Sequence, residues 1–191
     1  MTPVEFRRHL HRHPELSFRE TESARFIAEA LREAGIPCRP IAGTGVLAKI
    51  EGRGDLRRAV VLRADIDALP IREQSGAAWS SENDGVMHAC GHDAHMAMLL
   101  GGAKILTEIK DQLPGTVKIL FQPAEETFEG ARDMLENGLL ENPPVDAALA
   151  YHVAAGKSPV GFVMYNDSGV MMASVDGFEV TVHGRGSHGA N

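Results

Sequence analysis

Cysteine is scarce in this chain of 191 residues: Cys38 and Cys90 are its only two. That excludes a disulfide framework, and reduced thiols in a cytoplasmic protein are the simpler reading. Long apolar runs are missing too. No stretch approaches the roughly 18 consecutive apolar residues of a membrane span, and the opening MTPVEFRRHLHRHPE carries no apolar run of the kind a secretory signal needs. Basic charge is not in excess, since 26 Asp+Glu against 19 Lys+Arg give a formal net charge of -7. An acidic chain without a Lys/Arg-rich stripe argues against nucleic acid as the main partner. Hydrophobic residues make up 43 %, which excludes the disordered class. A chain of this length buries a real core, either as one large domain or as one full domain with part of a second.

Periodicity then orders the chain. Residues 3–11 place Val4, Phe6 and Leu10 between basic residues, a short amphipathic helix stopped at His13-Pro14. Over 21–34 the apolar positions Ala24, Phe26, Ile27, Ala30 and Leu31 predict a second helix, closed by Gly35 and Pro37. Buried strands are expected at 46–50, 59–64, 116–121 and 145–151, and a long loop at 66–88. Asp93 is placed to cap a helix reaching about Lys110, with Ala94, Ala97, Met98, Leu100 and Ile105 inward. Another helix is expected over 129–137. Such alternation implies an α/β fold with a mainly parallel central sheet flanked by helices. Beyond it, 160–175 reads as short β segments and 177–183 as an amphipathic strand.

Several strand ends carry metal-type chemistry. Met87-His88-Ala89-Cys90-Gly91-His92-Asp93 sets a thiol and an imidazole two residues apart, just before a helix. That pair suits Zn²⁺, Co²⁺, Ni²⁺ or Mn²⁺, and a helix N-terminus favours the thiolate a metal needs. The alternative is a small buried Cys90 and a core His92. His88 and His95 compete as ligands, although His95 can point away along the helix. Glu125 and Glu126 follow the strand at 116–121; adjacent carboxylates cannot both ionise freely without a cation nearby, so one can bind it and the other can accept a proton. A solvated acidic turn is the other reading. Asp65 and Asp67 close the strand at 59–64 as ligands, as orienters of a histidine or as loop caps. His152 ends the strand at 145–151, where a structural role is also open. Four buried strands, each delivering such a side chain near one end, tip the joint pattern towards a metal site.

LRADIDALPI, MHACGHDAHMAMLLGGAKIL, LFQPAEET and YHV, in that order, resemble the M20 family of metallo-amidohydrolases and carboxypeptidases. The branch of N-acyl-amino-acid, hippurate and auxin-conjugate hydrolases is the most similar, and HxxPELSFxE at 11–20 fits it as well. The resemblance implies a zinc-peptidase-like catalytic domain and a site for two divalent metal ions, with Cys90, His92, Glu126 and His152 as ligands and Glu125 as general base. Many M20 peptidases have His where this chain has Asp65; Asp67 aligns with their auxiliary Asp. His188, in a segment resembling the start of an inserted α+β lid or dimerisation domain, takes the role of an oxyanion-binding histidine offered to a partner subunit.

By this resemblance, residues 1–175 form the N-terminal part of the catalytic domain and 176–191 begin the lid. The chain is expected to be a fragment, because the family's last histidine ligand has no candidate here. The implied activity is hydrolysis of the amide bond of N-acyl or N-aroyl amino acids or dipeptides by a homodimer, with no nucleic-acid or membrane partner. Two other classes are open: a hydrolase using Cys90 as nucleophile, and a non-catalytic relative that keeps the fold as a binding scaffold.

Overall fold

Local signals start the chain cleanly. Thr2 caps the first helix, α1 (Pro3–Arg12), through a reciprocal capping box with Glu5, and Pro3 occupies the first turn, where no amide partner is needed. The computed structural model describes residues 1–154, 156, 159–166, 168–186 and 188–189. After α1 come α2 (Thr21–Glu33), β1 (Cys38–Ile41), β2 (Gly45–Glu51), β3 (Ala59–Asp65), α3 (His92–Glu108), β4 (Thr116–Gln122), α4 (Gly130–Glu136) and β5 (Val145–Ala150). The strands form one sheet in the order β1-β2-β4-β3-β5.

The sheet is mixed. β3 runs parallel to both β4 and β5, with Asp65 opposite Gln122 and Arg63 opposite Ala150. β2 is antiparallel to β1 and β4, so the expected mainly parallel sheet is corrected for that half. β1 was not legible as a strand because Pro37 precedes it and Pro40 lies within it; as an edge strand it tolerates proline.

β4 is buried along its whole length because both faces are covered. Val117, Ile119 and Phe121 join Phe6, Leu10, Ile27, Leu31, Met96 and Leu99 in the larger core under α1, α2 and α3. Leu120 joins Val61, Met134 and Leu139 on the opposite face, under α4. Each such side chain contributes about 1.5–3 kcal/mol by leaving water. Lys118 points to this second face, is 1 % exposed, and donates from Nζ to the carbonyls of Leu139 and Glu141 at 2.8 and 2.6 Å.

Two expectations for α3 fail. Gly91, with φ +91°, occupies the N-cap position, and no side chain caps the helix; Asp93 is buried and bound to His11 and Arg7 instead. Met98 and Ile105 are exposed, whereas Met96, Leu99 and Ala103 point inward; the apolar residues run almost all round this helix, so periodicity alone could not orient it.

The sheet and its helices form one compact unit, Met1–Val153, and Ala154–Asn191 forms another. Among the described residues of the second unit no strand forms, contrary to the expectation for 160–175 and 177–183. Phe178, Val180 and Val182 alternate as a strand would, yet all three are exposed. A strand needs a neighbour to take its hydrogen bonds and a layer to cover its apolar face, and this segment has neither among the described residues. Ser187, Ala190 and Asn191 of the expected lid segment lie outside the described residues.

Candidate metal centre

Because β3, β4 and β5 are parallel, their C-terminal ends lie together, and each strand runs on into polar residues. β3 ends in Asp65 and continues to Asp67. β4 leads through Pro123-Ala124 to Glu125 and Glu126. β5 leads through Tyr151 to His152. α3 begins at His92, beneath the loop that carries Cys90.

His92 is the common member. Its Nε2 lies 3.5 Å from Asp65 Oδ2, 3.7 Å from Glu126 Oε1 and 3.8 Å from Glu125 Oε2. Its Nδ1–H donates to the Asp67 carbonyl at 2.8 Å, with Asp67 Oδ1 at 3.3 Å. Cys90 Sγ is 3.2 Å from His152 Nε2. Three overlapping groups each bring one donor atom per residue within 4.8 Å of one another: Cys90, His92 and His152; His92, Glu125 and Glu126; and Asp65, His92 and His95. The structure thus gathers Cys90, His92, Glu125, Glu126 and His152, with Asp67 directly behind His92.

The donor set fits divalent metal. His92 Nε2 and Glu126 Oε1 are buried with no hydrogen-bond partner, a costly arrangement that a cation between them resolves. Thiol, imidazole and carboxylate together suit a borderline ion such as Zn²⁺.

The electrostatics agree. Burial pulls the His92 pKa down, but the Asp67 hydrogen bond and the charges of Asp65 and Asp67 outweigh it and raise it, so the surroundings favour positive charge at this ring. Burial raises the carboxyl of Glu126, and Glu125 adds to the shift. Burial also opposes ionisation of Asp65, yet His95, His92 and Arg63 overcome it and bring the carboxyl to about 2.

Cys90 corrects one expectation. Burial, then Glu126, Glu125 and Asp65, push its thiol up to about 12. Three carboxylates outweigh the start of α3, so the thiol keeps its proton at neutral pH unless a cation displaces it.

His95 does not point away. It is fully buried, donating Nδ1–H to Asp65 Oδ1 at 2.6 Å and accepting the Val153 amide on Nε2 at 3.0 Å. Both nitrogens are engaged, so His95 ties the end of β3 to the residue after His152. His88 is 3 % exposed, and burial lowers it to about 4, so it is neutral. His188 lies in the second unit.

Sequence reasoning missed the surrounding network. Ser17 donates to Asp67 Oδ2 at 2.7 Å, and the Glu126 amide donates to the same oxygen at 3.0 Å. Arg63 Nη1 donates to Asp65 Oδ2 at 2.8 Å. His11 bridges Asp93 Oδ2 at 2.8 Å and Glu73 Oε1 at 3.2 Å. An arginine inside the apolar run 59–64 and the polar residues of HxxPELSFxE were the available signals.

Similarity to known proteins runs through the same residues. The chain is 46 % identical over 192 residues to an N-acetyl-L-cysteine deacetylase of Bacillus subtilis, covering 98 % of this chain and 44 % of that protein. It is 42 % identical over 191 residues to an N-acyl-L-amino acid amidohydrolase of Geobacillus stearothermophilus, covering 98 % and 50 %. The crystal structure of a Bacillus subtilis dinuclear metal binding peptidase of the M20 family superposes with a TM-score of 0.75 at 47 % identity, over 78 % of this chain and 42 % of that one. The chain therefore spans about half the length of these relatives or somewhat less. A model of peptidase family M20/M25/M40 matches residues 61–189, a span that includes Cys90, His92, the Glu125-Glu126 pair and His152, and the chain belongs to that family.

Proposed function

We propose that the protein containing this chain hydrolyses the amide bond of N-acyl or N-aroyl amino acids, or of small peptides, with two divalent cations held at the ends of β3, β4 and β5. The observation that carries this is the pair of orphaned, buried donors His92 Nε2 and Glu126 Oε1 beside Glu125. The names of the Bacillus and Geobacillus relatives, and the dinuclear site of the structural neighbour, support the substrate class and the count of two.

Cys90, His92, Glu126 and His152 hold the cations. When bound, divalent ions of this kind polarise a carbonyl and make water acidic enough to lose a proton near neutral pH. Glu125 is about one-third exposed and stands where substrate can reach it. It accepts the proton of the attacking water and returns it to the departing amine. Asp67 fixes the His92 ring from behind. His188, presented by the lid segment that begins near 176, donates to the oxyanion in the partner subunit of a homodimer. Cys38 and Cys90 are both unbridged, which supports a cytoplasmic setting, and among the described residues no helix is long and apolar enough to cross a membrane. Cys90 as nucleophile is disfavoured by a thiol pushed to about 12.

Glu125→Gln in the full natural protein tests the reading: bound metal should be retained while kcat on an N-acetyl amino acid falls about 10²–10⁴-fold. An undiminished rate rejects the assignment.

A further inference from the structure

The motif at 11–20 has no part in the chemistry above, yet it is built around the site. Glu20 occupies the N-cap position of α2 but makes no cap. That duty falls to Glu15, whose carboxylate takes the amides of Glu22 and Ser23 at 3.2 and 2.7 Å. Released from capping, the Glu20 carboxylate turns inward and is 0 % exposed. Its Oε1 accepts the Ala124 amide at 2.9 Å, and its Oε2 accepts the Thr44 hydroxyl at 2.6 Å. Burying a carboxylate is costly, and burial does raise this one above the ordinary range.

What Glu20 grips is unusual as well. Ala124 is fully buried and has φ +50°, a conformation that costs an L residue about 1–2 kcal/mol. The next residues are Glu125 and Glu126. Behind them, Gly130 passes so close that a Cβ there would sit 1.7 Å from the Pro123 carbonyl. On the other side of the pair, the Glu126 amide is held by Asp67 Oδ2, which Ser17 holds in turn. The two paired acids are thus gripped by the amides at 124 and 126, and both grips lead back to the segment between Ser17 and Glu20.

The geometry points to Glu20 as a positioning residue: through the Ala124 amide it fixes the reversed turn that aims Glu125 and Glu126 at His92. The inference rests on the roles given to those two acids above. Oxygen at this position matters rather than charge, because the acceptor is a backbone amide's partner. A glutamine can give its oxygen to Ala124 and its NH₂ to Thr44. An aspartate is one methylene too short to serve both.

The experiment compares Glu20→Ala, Glu20→Asp and Glu20→Gln in the full natural protein, at temperatures where each is folded. Hydrogen exchange at the Ala124 amide is measured without metal, and kcat and KM with metal. Expected are exchange at least about tenfold faster in the Ala and Asp variants, a kcat loss of about 10- to 100-fold with KM little changed, and values near wild type for Gln. If the Ala variant does not fold, the Asp and Gln pair decides. A lowered Tm with unchanged exchange and kcat would make Glu20 merely structural and overturn the inference, as would a Gln variant as impaired as Asp. If Glu125→Gln is inert while the Glu20 variants keep full kcat, only the positioning role fails. If Glu125→Gln keeps its rate, the functional reading fails first.

Discussion

His92 donates Nδ1–H to the carbonyl oxygen of Asp67, and that bond decides which ring nitrogen faces the strand ends. With Nδ1 committed to that bond, Nε2 is the ring nitrogen that faces Glu125, Glu126 and Asp65. The Asp67 side chain supports the same arrangement from Oδ2, holding Ser17 and the Glu126 amide. Asp67→Ala leaves the backbone carbonyl but frees both. Metal affinity should fall about 10- to 100-fold, with Asp67→Asn between it and wild type. Competition with a chromophoric chelator at fixed pH measures this, and unchanged affinity in a folded Asp67→Ala protein would refute it.

Removal of metal gives a second expectation. Activity should vanish on treatment with a chelator and return with Zn²⁺, Co²⁺ or Mn²⁺. The bare Cys90 thiol, raised to about 12, does not supply a nucleophile in their absence. Activity that survives chelation and dies with a thiol alkylator would favour Cys90 as the attacking group.

The sequence showed the strand ends well because each buried strand is a continuous apolar run closed by a polar side chain. β3, β4 and β5 agree with their expected positions to within a residue, and Cys90, His92, Glu125, Glu126 and His152 meet there. What could not be read was set by distance along the chain. Ser17 reaches Asp67, Glu20 reaches Ala124 and His11 reaches Asp93 across 50, 104 and 82 residues, and no local pattern encodes such pairings. The orientation of α3 was lost for a different reason: a helix apolar almost all round has no single inward stripe.

His11 carries a pH prediction. Its two nitrogens face Asp93 and Glu73. The Asp93 hydrogen bond, helped by Glu73, overcomes burial and raises its pKa above 6.5. The folded state therefore binds the proton more tightly than the unfolded chain does. The resulting stability is complete below about pH 6.5 and is lost as pH rises through the folded value. In metal-free protein, the stability gap between wild type and His11→Asn should be widest near pH 6 and shrink towards pH 9. Urea unfolding at the two pH values reads it, and a gap that widens with pH would reverse the sign.

Gly91 separates strain from geometry at the site. It lies between Cys90 and His92 with φ +91°, and a Cβ there would come within 2.6 Å of Val153 Cγ2. Val153 is the residue after His152, and its amide is held by His95. Gly91→Ala should therefore do two things. The left-handed backbone costs about 1–2 kcal/mol of stability whatever the neighbours do. The clash displaces Val153, drawing His152 away from Cys90 and weakening metal binding. Adding Val153→Ala removes the clashing methyl without relieving the backbone. The double variant should recover most of the metal affinity while its Tm stays depressed, as paired thermal melts and metal titrations would show. Recovery of neither would mean that backbone strain at Gly91, and not contact with Val153, governs the position of His152.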